Sequence, residues 1–253
     1  MSNGAESMAR LLAMATAEVE RIRHKHGAVR MLEAGGGAET RVDIDATHIT
    51  VIDVSAKQLA RNTYAHEKIE ADLHDVDLGA RVFDVIVFWD VLEHLRDPGA
   101  VVRRMAASLS DHGLIVIASP NPLSLSGLIV KFTPHAFHDF FHKHLMKTPQ
   151  GSGYMPFRTY MRLDVRAERM RACLAQCGLQ VALMEKYQST RAARLRRRSP
   201  MAGAAHDAVI SACKALTFGR WGAELSDYVL LAKRAPEAVR SEAVRPQARA
   251  ASA

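Results

Sequence analysis

Short runs of hydrophobic residues alternate along the chain with longer stretches that have helical periodicity. Seven runs have the length and composition of buried strands, and they span residues 29–33, 49–53, 68–72, 83–88, 114–118, 179–184 and 228–232. Nearly all-apolar strands that alternate with helices are typical of a mostly parallel sheet covered on both faces. The pattern therefore predicts an α/β fold.

Capping residues mark where several of the intervening helices begin. The first helix is predicted over residues 7–26 with Ser7 as its cap, and Ser55 begins a capping-box pattern. Asp97 stands directly before a proline, which suits the first helical position. Asp164 precedes a further helical stretch. These four side chains are the predicted helix starts.

Two segments interrupt the alternation, and the C-terminal end lies outside it. Residues 119–162 form a long insertion rich in Pro, His and aromatic residues, and residues 187–226 form a second insertion. We expect residues 1–233 to form a single domain in which the first insertion serves as a substrate lid. Residues 234–253 lack hydrophobic periodicity and are predicted to be disordered.

Composition places the chain among ordinary globular proteins. It has 253 residues, of which 48% are hydrophobic and 24% are charged, and this excludes a wholly disordered chain. Three cysteines are too few for a disulfide framework. The longest uncharged run is broken by Pro120 and Pro122, so no bilayer-spanning segment is predicted. With no signal peptide recognisable at the N-terminus, we expect a cytoplasmic protein.

The basic excess is concentrated in one place. The formal net charge is +7, and five arginines fall within residues 191–198, just before an apolar helical stretch. The basic residues are not interleaved with aromatic ones, so nucleic acid is not a predicted partner. Two interpretations stay open for this region. In the first, it binds an anionic membrane surface or an acidic acyl substrate. In the second, the arginines form a solvated loop and the helix packs against the rest of the protein.

The strongest chemical signal lies at the ends of the first two strands. Glu33 is followed by a glycine cluster at residues 35–37, and Asp53 comes twenty residues after Glu33. Glycines let a ligand approach the backbone amides closely, and an acid at this spacing can accept hydrogen bonds from both hydroxyls of a ribose. Ligands of such sheets bind outside the carboxyl ends of the strands. The sequence therefore predicts a site for a nucleoside-bearing ligand.

Two ligand classes compete for this site: a nicotinamide dinucleotide and S-adenosylmethionine (SAM). Gly35 and Gly37 fit the first two places of the dinucleotide fingerprint, but Thr40 occupies the third. Residues 37–48 are also too few for a full helix with its turns. Glu33 would repel a diphosphate, whereas it suits the cationic methionine end of SAM. These features favour SAM.

The chain resembles the class I SAM-dependent methyltransferases, and within them the ubiquinone-biosynthesis-type group. The resemblance covers roughly residues 28–122, and it is carried by LEAGGG (32–37), VIDVSAKQLARN (51–62), ADLHD (71–75), FDVIVFWDVLEHLRDP (83–98) and GLIVIASPNP (113–122). It implies a Rossmann-like, seven-stranded, mostly parallel sheet in the order 3-2-1-4-5-7-6, with the last strand antiparallel and helices on both faces.

The resemblance also implies which residues bind SAM. It places the glycine loop at the methionine moiety, Asp53 at the ribose, Asp72 at the adenine and Trp89 near the sulfonium. The full implied set is Glu33, Gly35, Gly36, Gly37, Asp53, Val54, Asp72, Leu73 and Trp89. The chain departs from the family where the loop normally continues to a further glycine, because Glu39 stands there. Asp72 could alternatively serve only to cap a turn.

Methyl transfer from a sulfonium is an in-line displacement that needs a general base only when the acceptor atom carries a proton. The candidate bases are Asp90, beside the implied cofactor site, and His135 and His138 in the first insertion. His94 is a weaker candidate, since the corresponding stretch is mostly a structural helix in the family. No third ligand completes a metal site around the histidines, so no metal is predicted.

Together these features predict a SAM-dependent methyltransferase that acts on a small-molecule or lipid-like acceptor, with oxygen as the favoured acceptor atom. One alternative is a dinucleotide-dependent oxidoreductase, against which the broken glycine fingerprint argues. A second is a protein that binds SAM without turnover. The sequence does not predict the oligomeric state.

Overall fold

A computed structural model describes residues 4–132, 159–190, 197 and 199–234 of the chain. Helices and strands alternate through this part, in the order α1 (Gly4–His26), β1 (Arg30–Ala34), β2 (His48–Asp53), α2 (Ala56–Arg61), β3 (Glu67–Glu70), β4 (Phe83–Trp89), α3 (Pro98–Ala107), β5 (Leu109–Pro120), α4 (Leu125–Phe132), α5 (Ala167–Gln176), β6 (Leu179–Tyr187), α6 (Pro200–Leu216) and β7 (Asp227–Arg234). Single 3₁₀ turns follow β4 at Leu92–His94 and precede α5 at Leu163–Val165.

The strands form one sheet in the order β3-β2-β1-β4-β5-β7-β6. β1 to β5 are mutually parallel, and β7 runs antiparallel to both of its neighbours. The predicted order and the predicted antiparallel last strand are therefore confirmed. The strand order reverses beside β1, whose partners are β2 on one side and β4 on the other. A crevice at the carboxyl ends of these strands is the expected ligand site.

The central strands β1, β4, β5 and β7 are buried on both faces, which explains why they are largely apolar, whereas the edge strands β3 and β6 are partly exposed. Met31 of β1 belongs to a core cluster with α1, whereas the next residue, Leu32, belongs to the cluster formed with α3 and α5. α1 contributes a stripe of fully or nearly fully buried side chains at helical spacing, formed by Leu11, Ala15, Val19 and Ile22. Alternate strand residues thus pack under helices on opposite faces.

Two of the four predicted helix starts are confirmed. The Ser55 side chain accepts a hydrogen bond from the Gln58 amide at the start of α2. The Asp97 carboxylate accepts one from the Ala100 amide, 2.9 Å away, at the start of α3. Each satisfies an amide that has no partner within its own helix.

The other two predicted helix starts are wrong. α1 already begins at Gly4, so Ser7 lies inside the helix and is fully buried. Asp164 makes no cap, because a 3₁₀ turn continues through Val165 before α5 begins. The carbonyl of Val165 accepts a hydrogen bond from the buried Tyr228 hydroxyl at 2.7 Å, so this turn is held by a tertiary contact.

The connection between β1 and β2 contains no helix, as its shortness indicates. After the glycine loop the chain runs extended, with Val42 and Ile44 buried against the core and Asp43 and Asp45 exposed. This alternation has the period of a strand, although the segment pairs with no strand of the described sheet.

Several predictions fall wholly or partly outside the described residues. Residues 133–158, 191–196 and 235–253 are among the undescribed positions. Within the described ranges, no helix is both long and apolar enough to cross a bilayer. The same ranges contain no cluster of three or more His, Cys, Asp or Glu side chains suited to a metal ion.

Candidate active site

A cleft of about 640 Å³ opens at the carboxyl ends of β1, β2 and β4. All nine residues implied as the cofactor-binding set line it: Glu33, Gly35, Gly36, Gly37, Asp53, Val54, Asp72, Leu73 and Trp89. The candidate base Asp90 lines it as well. The other two candidate bases, His135 and His138, lie outside the described residues.

The glycine loop leaves no room for side chains at its first two glycines. Gly35 has φ = 73°, and a Cβ placed on it would lie 2.4 Å from Val91 Cγ2. A Cβ on Gly36 would lie 2.8 Å from the Glu33 side chain. The Gly35 amide donates a 2.7 Å hydrogen bond to the Ile52 carbonyl, which ties the loop to the end of β2. The loop is therefore a tight backbone cradle at the cleft.

Glu33 lies beneath this loop and is 3% exposed. One carboxylate oxygen accepts a hydrogen bond from the Thr40 hydroxyl, and the other accepts one from the Tyr64 hydroxyl. Burial raises the pKa of the Glu33 carboxyl, and the two hydroxyls oppose that rise. Each carboxylate oxygen has a second lone pair, so the buried acid keeps acceptor capacity for a cation.

Asp53 faces the same loop from the end of β2. Its carboxylate accepts a 2.8 Å hydrogen bond from the Ser55 amide, and a Cβ on Gly37 would lie 3.6 Å from Asp53 Oδ2. Burial raises the pKa of Asp53, while the amides of Ser55, Gly37 and Val54 favour its ionised form. The carboxylate at residue 53 and the glycine bend are thus neighbours, as the sequence predicts.

Asp72 caps a turn and also lines the cleft, and its role at the adenine stays a prediction. Its Oδ1 accepts hydrogen bonds from the His74 amide at 2.9 Å and from His74 Nδ1 at 2.6 Å, as a turn-capping acid would. The same residue lines the cleft. These bonds, the backbone amide first, hold the pKa of Asp72 below its usual range. Because His74 Nε2 accepts from the Asp97 amide at 3.2 Å, the geometry places the proton of a neutral His74 ring on Nδ1.

The far end of the cleft lies just after β4. Asp90 is exposed and takes a left-handed backbone conformation, with φ = 49°, and its amide donates to the Ala118 carbonyl at 2.9 Å. Asp tolerates this conformation better than most residues do. His94 and Tyr160 line the cleft as well. Two imidazole- or phenol-bearing side chains therefore stand near the implied position of the sulfonium.

Several residues that build the site carry no signal in the sequence motifs. Thr40 and Tyr64 hold Glu33, and Asn62 donates a 2.8 Å hydrogen bond to the Gly37 carbonyl. Thr40 enters the sequence argument only as a mismatch to the dinucleotide fingerprint. Arg96 lies 3.4 Å from Asp72. Asn62 at the end of the 51–62 motif and Arg96 within the 83–98 motif are the two whose positions could have suggested a role.

The side chains present suit a cationic nucleoside ligand better than a dinucleotide. The acidic residues that line the cleft are Glu33, Glu39, Asp53, Asp72 and Asp90, and Arg41, Arg61 and Arg96 line it as well. Two of these, Glu33 and Asp53, flank the backbone cradle, where a dinucleotide would need to place its diphosphate. Like charges repel in a partly buried site, whereas the ammonium and sulfonium groups of SAM are complementary to it.

Comparison with known proteins agrees with this geometry. A family described as a methyltransferase domain matches residues 5–182, which is most of the chain. A protein of Mycobacterium tuberculosis named "probable S-adenosylmethionine-dependent methyltransferase" is 31% identical over 102 residues. That match spans 38% of this chain and 37% of the relative, so the chain matches little more than a third of the relative's length.

Solved structures show the same fold at low sequence identity. The plantazolicin methyltransferase BpumL in complex with SAH has a TM-score of 0.51 and 13% identity, over 90% of this chain and 85% of that chain. The same enzyme with a pentazolic desmethylPZN analog and SAH has a TM-score of 0.52 and 12% identity, over 90% and 86% of the two chains. Assignment to the ubiquinone-biosynthesis-type group stays a prediction. The chain belongs to the methyltransferase domain family.

Proposed function

We propose that this protein transfers a methyl group from SAM to a hydroxyl oxygen of a small-molecule or lipid-like acceptor. The observation that carries the proposal is one continuous cleft at the ends of β1, β2 and β4. A backbone cradle flanked by Glu33 and Asp53 forms one part of it, and Asp90 and His94 line another. One part suits a cofactor, and the other offers polar side chains to an acceptor.

Each part of the cleft has a role in this proposal. When bound, SAM supplies an electrophilic methyl group on a cationic sulfur. The glycine loop and Glu33 hold its amino-acid end, Asp53 binds the ribose hydroxyls, and Asp72 lies at the adenine. Most of the rate comes from holding the acceptor oxygen about 3 Å from the methyl carbon, in line with the breaking bond, and from excluding water.

The first insertion is proposed to complete the acceptor side. Its described part includes α4 and the return to the cleft at Tyr160. Between these points lie residues 133–158, which carry the candidate bases His135 and His138 and are outside the described residues. The single-domain organisation over residues 1–233 stays part of this proposal.

The proposal is tested by calorimetric titration and by methyl transfer. SAM should bind and NAD should not, which separates a methyltransferase from a dinucleotide-dependent oxidoreductase. Incubation of the protein with methyl-labelled SAM and cell extract should produce a labelled small molecule whose mass spectrum shows an O-methyl group. Binding of SAM without any transfer would favour a non-catalytic SAM-binding protein, and a methyl group on nitrogen or carbon would contradict the oxygen assignment.

Acidification is expected to weaken SAM binding. The buried carboxyls of Glu33 and Asp53 both have raised pKa values, so they take up protons at a higher pH than ordinary carboxyls do. Loss of their negative charge disfavours a cationic ligand. Calorimetry at a series of pH values from 7.5 downward should show SAM affinity falling, with a shallower fall in Glu33→Gln.

The raised pKa of Glu33 should also make the stability of the unliganded protein depend on pH, but in the opposite direction to SAM affinity: lower pH favours the fold. A carboxyl group whose pKa is higher in the folded protein than in the unfolded chain contributes to stability at pH values below its pKa in the unfolded chain. That contribution is lost as the pH rises through its pKa in the folded protein. Any gain in melting temperature from Glu33→Gln should therefore shrink as the pH is lowered. Glu39→Gln, an exposed acid of the same cleft, is the matched control. Equal pH profiles for both variants would contradict the prediction.

The exposed face of α6 supports peripheral contact with an anionic membrane surface. The exposed residues of this face are uncharged, and Asp207 and Lys214, whose side chains are 43% and 40% exposed, lie at its border. The exposed residues are Met201, Ala204, Ala205, Ala208, Val209, Ser211, Ala212, Ala215 and Leu216. Phe218, just after the helix, is 90% exposed, and the exposed Arg197 and Arg220 lie beyond the two helix ends. Uncharged faces of this kind mark contact surfaces.

Vesicle co-sedimentation tests the membrane contact. The protein should sediment with vesicles containing phosphatidylglycerol and less with neutral phosphatidylcholine vesicles, because the flanking arginines favour anionic lipid. Phe218→Ser should reduce sedimentation, whereas Phe83→Leu in the core should not. Equal recovery in the supernatant with and without anionic vesicles would contradict this contact.

A further inference from the structure

His94 occupies a defined position at the edge of the cofactor cleft. It ends the 3₁₀ turn Leu92–His94, directly after β4, and its side chain is 30% exposed. Its Nδ1 lies 3.3 Å from the Thr159 hydroxyl oxygen, within hydrogen-bond distance. Its Nε2 lies 4.0 Å from Glu93 Oε1, which is an ion-pair distance but too long for a hydrogen bond. If Nδ1–H donates to Thr159, Nε2 is the basic nitrogen of the neutral ring.

The neighbouring carboxylate of Glu93 is buried and is 5% exposed. Its Oε2 lies 3.5 Å from the Ser119 hydroxyl, which donates to it. A buried acid beside an imidazole stabilises the protonated ring, because the positive charge of the imidazolium compensates the carboxylate. Glu93 is therefore placed to assist proton uptake by His94.

The chain that returns from the first insertion is anchored at the same point. The amides of Tyr160 and Met161 donate hydrogen bonds of 2.9 Å and 3.1 Å to the Glu93 carbonyl. With Thr159 against His94, three successive residues are fixed on this turn. An acceptor held by the insertion would thus meet the cofactor cleft beside His94.

Backbone strain is concentrated here as well. Within the described residues, three non-glycine residues have positive φ, and two of them border this turn: Asp90 at 49° and Met161 at 43°. Met161 is also 3% exposed. Conformations of this kind cost about 1–3 kcal/mol each and cluster at functional sites, where the surrounding structure maintains them. Their presence on both sides of His94 distinguishes it from an ordinary surface histidine.

We propose that His94 is the general base of the methyl transfer and that Glu93 is its positioning residue. The inference rests on the proposed function, since only an acceptor with a hydroxyl proton requires a base. The acceptor O–H bond breaks and the proton moves to His94 Nε2, while the acceptor oxygen forms the new bond to the methyl carbon. The electron pair of the breaking S–C bond stays on sulfur, so S-adenosylhomocysteine leaves neutral. The imidazolium then releases its proton to water.

The charged and titratable groups around His94 are consistent with this role. Glu93 lies beneath it, Asp90 and Tyr160 share its end of the cleft, and Arg96 follows it in the chain. Arg96 lies 3.4 Å from the Asp72 carboxylate, which offsets its positive charge. Among the described residues, the Glu93 carboxylate lies 4.0 Å from His94 Nε2, and a negative charge at that distance favours an imidazolium.

The test compares His94→Gln with the wild type in methyl transfer from SAM to a panel of simple phenols and medium-chain alcohols. The variant should lose about 10²–10⁴-fold in kcat, with the SAM dissociation constant unchanged within about twofold. At saturating SAM, where the pH dependence of cofactor binding no longer affects the rate, the wild-type kcat should fall on acidification, and that acid limb of the kcat profile should disappear in the variant. In Glu93→Gln the midpoint of the limb should move to lower pH. His206→Gln, on α6 and away from the cleft, should keep the wild-type rate and profile.

Three other results would contradict, respectively, the base role of His94, the proposed function and the positioning role of Glu93. A His94→Gln variant with wild-type kcat, or with an unchanged acid limb, removes the base role and leaves the proposed function intact. A wild-type protein that methylates amines but no hydroxyl probe overturns the proposed function and with it the base. Titration of the His94 ring by NMR in the S-adenosylhomocysteine complex needs no acceptor. An identical His94 midpoint in wild type and Glu93→Gln would overturn the role of Glu93.

Discussion

Gly35→Ala is expected to lower the free energy of unfolding by about 2–5 kcal/mol, through strain in a left-handed backbone and overpacking of a filled site. Gly35 has φ = 73°, and the added Cβ would lie 2.4 Å from Val91 Cγ2. Val91 sits between β4 and the turn that carries His94, so the clash acts directly on the cleft. SAM affinity should fall by about tenfold or more, the equivalent of about 1.4 kcal/mol. Denaturant unfolding and calorimetry measure the two effects.

Two further glycines separate strain from steric clash. Gly79 has φ = 55° with no atom within 4 Å of an added Cβ, so Gly79→Ala should show only the strain, about 1–2 kcal/mol, and normal SAM binding. Gly37 has φ = 56°, and a Cβ added there would lie 3.6 Å from Asp53 Oδ2, which is an ordinary van der Waals distance. Gly35→Ala should be the most destabilising of the three. If it unfolds no more easily than Gly79→Ala, the close packing assigned to the loop is wrong.

Asp53→Ala is expected to weaken SAM binding by about 1–3 kcal/mol, which corresponds to a rise of about 5- to 150-fold in the dissociation constant. The carboxylate is 7% exposed and is held by the Ser55 amide beside the glycine loop. Its removal would leave two ribose hydroxyls without an acceptor in a partly closed site. Isothermal titration calorimetry with SAM measures the change.

The matched control for Asp53 is Asp43→Ala, which removes the same charge from an exposed position in the connection between β1 and β2. Its SAM affinity should stay within about twofold of the wild type, because surface charges at a distance are screened by salt. An equal loss in both variants would indicate a general electrostatic effect rather than a ribose contact. Unchanged affinity in Asp53→Ala would refute the ribose assignment.

The parts of the fold that could be predicted depend on local chemistry or on the motifs. Ser55 and Asp97 each stand directly before a helical stretch. Each accepts a hydrogen bond from an amide only three residues further along the chain, so the cap is a local contact. The sheet order follows from the resemblance rather than from periodicity. The meeting of Glu33, Gly35 and Asp53 could be predicted because the carboxyl ends of parallel strands lie at one edge of the sheet.

What could not be predicted depends on contacts between distant parts of the chain. Tyr64 reaches Glu33 across 31 residues of sequence, and nothing in the spacing of the motifs indicates that contact. Asp164 looks like a helix cap, but the buried Tyr228 hydroxyl holds the carbonyl of Val165 in a preceding turn. His94 lies in the 83–98 motif and is only a weaker candidate base from the sequence, and its relation to Glu93 and to the returning insertion becomes visible only in three dimensions.

The most direct test of the central claim is a crystal structure of the protein with S-adenosylhomocysteine bound. We expect both ribose hydroxyls within about 2.5–3.0 Å of the Asp53 carboxylate and the amino-acid end of the ligand against the loop at Gly35–Gly37. An adenosine bound on another edge of the sheet, or a ribose out of reach of Asp53, would contradict the account.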